Sequence, residues 1–274
     1  MGHPLEAIDL RLKRANEHLR TINRKERAFL DLEDRRIGGY FDADASEYVF
    51  RLEGEMPDPR IGLFVGEFAH NLRAALDNLV WQLVRLRGGS PTRRTEFPIY
   101  ESRERYRKRG RGALRGVSTD DRAAIEVIQP FEAGEGAPDT YLALLAWLNN
   151  VDKHRFLHVG FAMPVTFMPA YYTPGGGIKK RVPGLFPWNP LPLKDVGEVL
   201  DVRYVPPVTG YDRAELMRVR IRASGPDPQM EVKGSPPIEI ALSDPKHSLI
   251  LPDLKVMKSL VASIVDGFRP RFDI

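Results

Sequence analysis

Residues 68–83 read FAHNLRAALDNLVWQL, and this stretch decides the fold of the first half of the chain. Successive residues of an α-helix are offset by about 100°. One face of the predicted helix is therefore apolar, and it is formed by Phe68, Leu72, Leu76, Leu79, Leu83 and Leu86. His70, Arg73 and Asp77 share the opposite face, which is flanked by Leu63, Val80, Trp81 and Val84. Apolar residues on both sides are typical of a helix inside a bundle, where charges need partners.

Residues 149–155, NNVDKHR, supply plausible partners on a later predicted helix. Their helical phase places Asp152 and Arg155 on one face of that helix. We therefore predict that Arg73 contacts Asp152, or that Asp77 contacts Arg155.

Two interpretations of this polar network remain open. In the first, it is a buried salt-bridge network that fixes the register of two helices. In the second, it lines a cleft in which a histidine acts as a general base and the arginines hold a phosphate or a carboxylate. The candidate catalytic residues are His70, Arg73, Asp77, Asp152, His154 and Arg155.

A metal site is a third interpretation of the same region. Nitrogen and oxygen ligands are available from His70, Asp77, Asp152, His154 and His158. No spacing matches a strong signature such as His-Glu-x-x-His. The chain has no cysteine, which excludes disulfides, thiolate catalysis and cysteine-ligated metals. We therefore expect no metal ion and no cofactor.

Helical periodicity extends outward from this stretch in both directions. Apolar residues at three- and four-residue steps predict an amphipathic helix over 5–36 and a second over 60–87 that ends at Gly88-Gly89. Ser118 or Thr119 is the predicted N-cap of a third helix that ends at about residue 128. Asp139 is the predicted N-cap of a fourth helix that ends at about residue 158. A last helix is expected over about 254–268.

The second part of the chain has a different composition. Seven of the 23 prolines lie in residues 1–155 and sixteen in residues 156–274, and proline disrupts helices. Alternating patterns or β-rich composition predict strands over 156–167, 198–205, 216–223 and 238–242, and residues 40–52 predict a strand or a short hairpin.

These elements together predict an α+β protein. We expect an N-terminal helical bundle over residues 1–158, with a basic loop at 90–118. A Pro-rich β region with a small antiparallel sheet and a closing C-terminal helix follows over 159–274, packed on the bundle.

The predicted loop is strongly basic. Residues 101–115 contain seven arginine or lysine residues and two glutamates, although the whole chain has a net charge of only +4. The candidates for contact with nucleic-acid phosphates are Arg103, Arg105, Arg107, Lys108, Arg109 and Arg111. The alternative is a solvated loop without a ligand.

The composition is that of an ordinary globular protein, with 274 residues, 42% hydrophobic and 28% charged. No apolar run approaches the ~18–20 residues of a membrane span, so we expect no membrane association. The first six residues lack the pattern of a signal peptide, and with the absence of cysteine this favours a cytoplasmic location. A homo-oligomer is compatible with the sequence.

The two motifs at 70–77 and 152–155 resemble those of a group of uncharacterised bacterial proteins, frequent in actinobacteria. Its members pair a His-Asn-Leu-Arg-x-Ala-Leu-Asp helix with a downstream Asp-Lys-His-Arg, and the likeness covers mainly residues 60–160. A remoter likeness is to HEPN-type helical bundles, which include ribonucleases and carry an arginine with a histidine four to six residues beyond it. The nearest matches here are Arg11 with His18, six residues between them, and Arg14 with His18, three between them.

Two classes of function follow from these patterns. The first is a non-enzymatic interaction or ligand-binding protein, with nucleic acid or another anionic ligand as its partner. The alternative is a metal-independent nuclease or phosphate-handling enzyme of the HEPN-like kind that uses His70 or His154.

Overall fold

The structure is a computed structural model that describes residues 3–31, 36–53, 57–154, 158–162, 197–204, 215–223, 239–243 and 248–273. Internal contacts divide the chain into two compact units. The first unit contains Met1–Lys25, Pro59–Leu157 and Leu251–Ile274, and the second contains Glu26–Asp58 and His158–Ile250. The predicted boundary near residue 158 coincides with one crossing between the units. The C-terminal helix, however, groups with the N-terminal helices, and residues 26–58 group with the later strands.

The first unit is helical. Its α-helices are α1 (Glu6–Leu30, of which residues 26–30 fall in the second unit), α2 (Arg60–Leu86), α3 (Arg103–Arg105), α4 (Arg111–Ala113), α5 (Thr119–Glu126), α6 (Tyr141–His154) and α7 (Leu251–Phe268). A π-helical turn, Tyr106–Gly110, joins α3 to α4, and 3₁₀ turns span Pro130–Asp139 and Arg269–Arg271.

Helix α2 lies against α6 and α7, which also contact each other. The predicted apolar face of α2 is confirmed from Phe68 to Leu83, which are buried, but Leu86 at its end is 39% exposed. Leu145 of α6 and Met257 of α7 are fully buried as well. Burial of each such side chain contributes roughly 1.5–3 kcal/mol, so this apolar contact is the main source of stability in the unit.

The apolar residues on the opposite face of α2 are less buried than the sequence predicts. Val80 and Val84 are buried, but the side chains of Leu63 and Trp81 are 53% and 40% exposed. On the face opposite the core, His70 is exposed, whereas Arg73 and Asp77 are partly buried.

Glycine ends α2 where the sequence predicts. Gly88 has a φ of +71°, a conformation that favours glycine. The Gly88 N–H donates to the carbonyl oxygen of Arg85 at 2.9 Å, and the Gly89 N–H donates to that of Val84 at 3.1 Å. This pair of bonds is a Schellman motif, which satisfies carbonyls that the helix leaves free.

Other helix ends differ from the prediction by a few residues. Helix α1 ends at Leu30 rather than at residue 36, and strand β1 begins at Arg36. Ser118 caps α5 as predicted, since its hydroxyl accepts from the Asp121 N–H at 3.1 Å. The cap of α6 is Thr140, whose hydroxyl accepts from the Ala143 N–H at 3.4 Å, and not Asp139, which belongs to the preceding 3₁₀ turn.

The prediction of a loop is wrong for residues 103–113, which are helical throughout. We call this segment the basic helix. Its first turn is capped by Ser102, whose hydroxyl accepts from the Arg105 N–H at 3.4 Å. Gly110 and Gly112 disfavour a helix here, and the ion pairs of Arg103 and Arg111 with glutamates stabilise it.

The second unit contains the strands. They are β1 (Arg36–Asp42), β2 (Glu47–Glu53), β3 (His158–Ala162), β4 (Gly197–Tyr204), β5 (Glu215–Ala223), β6 (Glu239–Ser243) and β7 (Ser248–Ile250). Antiparallel pairing gives one sheet in the order β1-β2-β5-β4 and another in the order β3-β6-β7. Three of the pairs join consecutive strands, β1 with β2, β4 with β5 and β6 with β7. The other two join strands that are distant in the chain, β2 with β5 and β3 with β6.

Arginines after α7 connect the C-terminal residues to two other helices of the first unit. Arg269 pairs with Asp9 of α1 and, at 2.7 Å, with Asp266. Arg271 donates to Asp121 of α5, a buried carboxylate that also accepts from the Ser118 hydroxyl at 2.6 Å. The carboxylates of Asp9 and Asp266 raise the pKa of Arg269, which keeps this pair ionised.

None of the helices in the described ranges combines the length and the apolar character that crossing a bilayer requires.

Candidate anion-binding site

Arg73 and Asp77 lie one turn apart on α2 and pair with each other and with the backbone of Phe97. Arg73 Nη2 is 2.9 Å from Asp77 Oδ1, and Arg73 Nε donates to Asp77 Oδ2 at 3.2 Å. Arg73 Nη2 also donates to the Phe97 carbonyl oxygen at 2.6 Å, and the Phe97 N–H donates to Asp77 Oδ1 at 2.9 Å. Two charged side chains therefore satisfy both polar backbone groups of a buried residue, as a neighbouring strand would.

Gln129 holds the next residues in the same way. Its side chain is buried, with 2% exposed. Gln129 Nε2 donates to the Pro98 carbonyl oxygen at 2.8 Å, and its Oε1 accepts from the Tyr100 N–H at 3.2 Å. The Phe131 N–H donates to the Tyr100 carbonyl oxygen at 3.3 Å. These bonds fix the backbone of residues 97–100 and thereby the position of Tyr100.

The two predicted catalytic residues Arg73 and Asp77 are thus occupied by structural contacts. The Arg73 side chain is 14% exposed, and Glu96 lies 3.8 Å from its Nη2. Because Nε and Nη2 are bonded to a carboxylate and a carbonyl and the side chain is largely buried, a substrate has little access to this guanidinium. This geometry favours the structural interpretation of the pair.

The predicted partners of Arg73 and Asp77 are not described. The side chains of Asp152, His154 and His158 lie outside the described residues, as does all of Arg155. Contacts between Arg73 and Asp152, or Asp77 and Arg155, stay predictions. His70 is exposed on α2, and no hydrogen bond or ion pair joins its side chain to another described residue.

A different histidine, His18 of α1, is paired with a carboxylate. His18 is 6% exposed, and its Nδ1 is 3.1 Å from Glu67 Oε2. Beside it, Arg11 Nη1 donates to Asn71 Oδ1 at 3.2 Å, and Asn71 Nδ2 donates to the Glu67 carbonyl oxygen at 2.8 Å. Burial lowers the pKa of His18, although the Glu67 carboxylate opposes this effect.

The position of His18 was visible in the sequence. It has the helical phase of Ala15, Leu19 and Ile22, which are all buried. A histidine on the apolar face of an amphipathic helix is expected to be buried and paired. The buried His18 ring meets Glu67, whose side chain is 58% exposed, at the edge of the core, and this contact joins α1 to α2.

The six predicted nucleic-acid-binding residues fall into two groups. Arg103 pairs with Glu132 at 2.7 Å and lies 3.8 Å from Glu126, and Arg111 lies 3.5 Å from Glu126. These two arginines attach the basic helix to the segment after it. The other four are exposed and form no ion pair with a described residue: Arg105, Arg107, Lys108 and Arg109.

Exposed cations from two separate segments converge on an open cleft of about 1190 Å³, which we call the basic cleft. The cations that line it are Arg93, Arg94, Lys108, Arg109 and Arg115. None of the five forms an ion pair with another described residue. Among the described residues of the lining, Glu96 is the one carboxylate, and it lies near Arg73. A concave surface of one sign concentrates the electrostatic potential, so this cleft attracts anions.

Sequence reasoning missed part of this set. Arg93 and Arg94 follow the end of α2, and nothing in their local pattern joins them to the basic helix. Arg115 was counted in the basic run but not among the candidates. The packing of residues 89–116 brings the three arginines together with Lys108 and Arg109.

A second cleft of about 920 Å³, the mixed cleft, adjoins the basic cleft and shares Tyr100, Lys108 and Arg109 with it. The mixed cleft adds Arg105 and three carboxylates, from Glu101, Glu104 and Glu135. The three cations of the mixed cleft are thus matched by three carboxylates, whereas the lining of the basic cleft is predominantly positive.

Tyr100 lies where the two clefts meet and packs closely on the basic helix. Its ring forms an edge contact with Tyr106, with 6.2 Å between the ring centroids. A Cβ at Gly110 would lie 2.9 Å from Tyr100 Cε2 and 2.8 Å from Tyr106 Cδ2, so the absence of a side chain at Gly110 permits this packing. One edge of the Tyr100 ring is therefore fixed, and the residue lines both clefts.

Within the described ranges, no three histidine, aspartate or glutamate side chains are grouped so that they could hold a metal ion.

No family model, no curated protein and no solved structure matches the chain. The resemblance of the two motifs to uncharacterised bacterial proteins and to HEPN-type bundles therefore stays a prediction.

Proposed function

We propose that this chain is an α+β binding protein, not an enzyme, and that its basic cleft binds a phosphate-bearing anionic ligand. The observation that carries the proposal is the contrast between two sets of arginines. Arg103 and Arg111 are paired with glutamates. Arg93, Arg94 and Arg115 face an open cleft without a carboxylate partner among the described residues.

This contrast bears on function because surface cations are normally dispersed among carboxylates. Five cations in one concave surface repel one another, which costs stability unless an anion is present. Arginine also suits phosphate, since its planar guanidinium forms two parallel hydrogen bonds with phosphate oxygens. The hydroxyls of Ser90 and Thr92 in the lining add polar groups of the kind that bind phosphate.

The dimensions favour an extended ligand over a single small ion. A drug-sized ligand fills a pocket of about 300–1,000 Å³. The basic cleft alone, at about 1190 Å³, exceeds that range, and the mixed cleft continues it. A chain of phosphates would contact several of the five cations at once.

The salt dependence of binding tests this proposal. The purified protein is mixed with a fluorescein-labelled single-stranded oligonucleotide, a labelled duplex or inorganic polyphosphate, and binding is followed at increasing KCl. We expect measurable affinity for at least one of these at low salt. For a single strand, the slope of log affinity against log salt should reach about −3.5 if all five cations contact phosphates. No binding to any of the three at low salt would contradict the proposal.

The alternative function is a metal-independent nuclease of the HEPN-like kind that uses His70 or His154. A general base needs both access to substrate and a partner that orients it. His70 is exposed but has no partner among the described residues, whereas His18 has Glu67 but is buried. His70 and His18 thus each lack one of the two properties.

His70→Ala separates the binding protein from the nuclease. We expect no hydrolysis of RNA or phosphoesters by the parent protein, measured by gel assay, and unchanged oligonucleotide affinity in the variant. Turnover in the parent that disappears in His70→Ala, with the melting temperature unchanged, would establish the enzyme instead.

A further inference from the structure

We propose that the ligand is a single-stranded nucleic acid, whose phosphates occupy the basic cleft and one of whose bases stacks on Tyr100. This inference rests on the proposed function and deepens it by assigning the class of ligand. Four observations support it: the location of Tyr100, the fixation of its backbone, the charge pattern of the two clefts and the packing at Gly110.

The location of Tyr100 is the first observation. Tyr100 lines both clefts, together with Lys108 and Arg109. An aromatic ring next to two unpaired cations combines the two elements of single-strand binding, a stacking surface for a base and positive charge for the adjoining phosphates. Inorganic polyphosphate would use only the cations.

The rigidity of Tyr100 is the second observation. Its N–H and its carbonyl oxygen are both bonded, to Gln129 at 3.2 Å and to Phe131 at 3.3 Å. Its ring edge rests above Gly110. A ring that is fixed before the ligand arrives loses little conformational entropy on binding, which favours affinity.

The charge pattern gives the path of the strand. The basic cleft has five cations and one carboxylate, and this suits the phosphate backbone. The mixed cleft has three carboxylates beside Arg105, Lys108 and Arg109. Carboxylates repel phosphates but accept hydrogen bonds from base amino groups, such as N4 of cytosine. The bases should therefore lie toward the mixed cleft and the backbone toward the basic cleft.

A duplex fits this arrangement poorly. Its bases are stacked on one another and paired, so that their faces are not available to Tyr100 without unpairing. A duplex would contact the basic cleft through phosphates alone. We therefore expect a single strand to bind more tightly than a duplex of the same sequence at equal salt.

Tyr100→Leu tests the stacking, with Tyr100→Phe as the matched control that keeps the ring. Fluorescence anisotropy is measured with a labelled single-stranded oligonucleotide and with the corresponding duplex. We expect Tyr100→Leu to weaken single-strand affinity roughly 5- to 100-fold, the range provided by one base–aromatic stack. Duplex affinity should hold in both variants, which also shows that Tyr100→Leu is folded. Tyr100→Phe should retain most of the single-strand affinity.

A crosslinking measurement keeps the inference testable should Tyr100→Leu fail to fold. An oligonucleotide that contains 5-iodouracil is irradiated with the parent protein, and the crosslinked peptide is identified by mass spectrometry. We expect the crosslink at Tyr100. Single-strand affinity that is unaffected by Tyr100→Leu, or crosslinks that all lie outside residues 93–116, would overturn the inference.

The outcomes separate this inference from the proposed function. Equal affinity for single strand and duplex, with a steep salt dependence and no effect at Tyr100, would refute only the stacked single strand. Absence of binding to any polyanion would refute the basic cleft as a site.

Discussion

Polar side chains in the first unit bond to the backbone of a neighbouring segment. Arg73, Asp77 and Gln129 satisfy the polar backbone groups of Phe97, Pro98 and Tyr100. The sequence indicated that Arg73 and Asp77 share a face of α2 and require partners, and this part is confirmed. The identity of the backbone partner was not predictable, because Phe97 lies twenty residues beyond Asp77 and no sequence pattern reports its position.

Arg73→Ala should destabilise the protein by roughly 1.5–3 kcal/mol, the contribution of hydrogen bonds to charged groups. The substitution leaves the Phe97 carbonyl without a donor and the Asp77 carboxylate without its cation. Unfolding in urea measures the effect. The matched control is Arg85→Ala, since Arg85 is exposed on the same helix and should change stability by at most about 0.5 kcal/mol. Equal destabilisation in both variants would show that the backbone contacts of Arg73 contribute nothing.

His18 should make stability depend on pH below neutrality. Burial lowers its pKa from the ordinary 6.5, whereas Glu67 raises it, and the nearby Arg14 and Glu17 exert smaller, opposing effects. The unfolded chain then takes up a proton at higher pH than the folded protein does. The stability contributed by neutral His18 is therefore complete above about pH 6.5 and decreases as the pH falls below it.

Urea unfolding of the parent and of His18→Gln at several pH values between 8 and 5 measures this effect. The parent should lose stability more steeply than the variant as the pH falls below about 6.5. Free energies of unfolding that change in parallel over the whole range would contradict the assignment.

At the scale of elements, the long helices were predictable and the short ones were not. Helix α2 and its end at Gly88-Gly89 follow from a strong apolar period and a glycine stop. The basic helix does not have such a period, because only Tyr106, Gly110 and Ala113 of its residues are buried. High charge density and two glycines are typical of a loop, and the tertiary contacts of Arg103 and Arg111 determine the helix instead.

The two glycines of the basic helix should respond oppositely to alanine. Gly112→Ala meets nothing within 4 Å, so its effect is the better helix propensity of alanine, about 0.5–1 kcal/mol of added stability. Gly110→Ala gains the same propensity, but its Cβ would lie 2.8 Å from Tyr106 Cδ2 and 2.9 Å from Tyr100 Cε2. We expect it to lower the melting temperature and, because Tyr100 must shift, to weaken single-strand binding. Calorimetry and anisotropy on both variants decide this, and a stabilising effect of both alanines would contradict the packing at Gly110.

At the scale of the whole molecule, composition conceals the feature that matters for function. The chain has 41 basic and 37 acidic residues, a net charge of +4 that indicates no particular partner. The basic cleft results from the distribution of these charges in space, since Arg93 and Arg94 join Lys108, Arg109 and Arg115 only after folding. The sequence indicated a candidate binding segment at residues 103–111. It did not indicate which of its arginines pair with glutamates in the folded protein.

The division into two units was likewise only partly visible in the sequence. Proline content separates the helical from the β-rich segments. However, α7 near the C-terminus belongs to the helical first unit, and the β1–β2 pair near the N-terminus belongs to the second unit with the later strands. Contacts between distant segments depend on packing that single-sequence periodicity does not report.

The central claim is that the unpaired cations of the basic cleft, rather than positive charge in general, bind the ligand. Its most direct test compares Arg93→Gln/Arg94→Gln with Arg103→Gln/Arg111→Gln, two double variants that remove the same charge by the same substitution. Affinity for a single-stranded oligonucleotide is measured as a function of KCl. The first variant should bind more weakly and lose about 1.4 from the salt slope, roughly 0.7 for each phosphate contact. The second should keep nearly the parent slope while its melting temperature falls. An equal loss of affinity and of slope in the two variants would contradict the account.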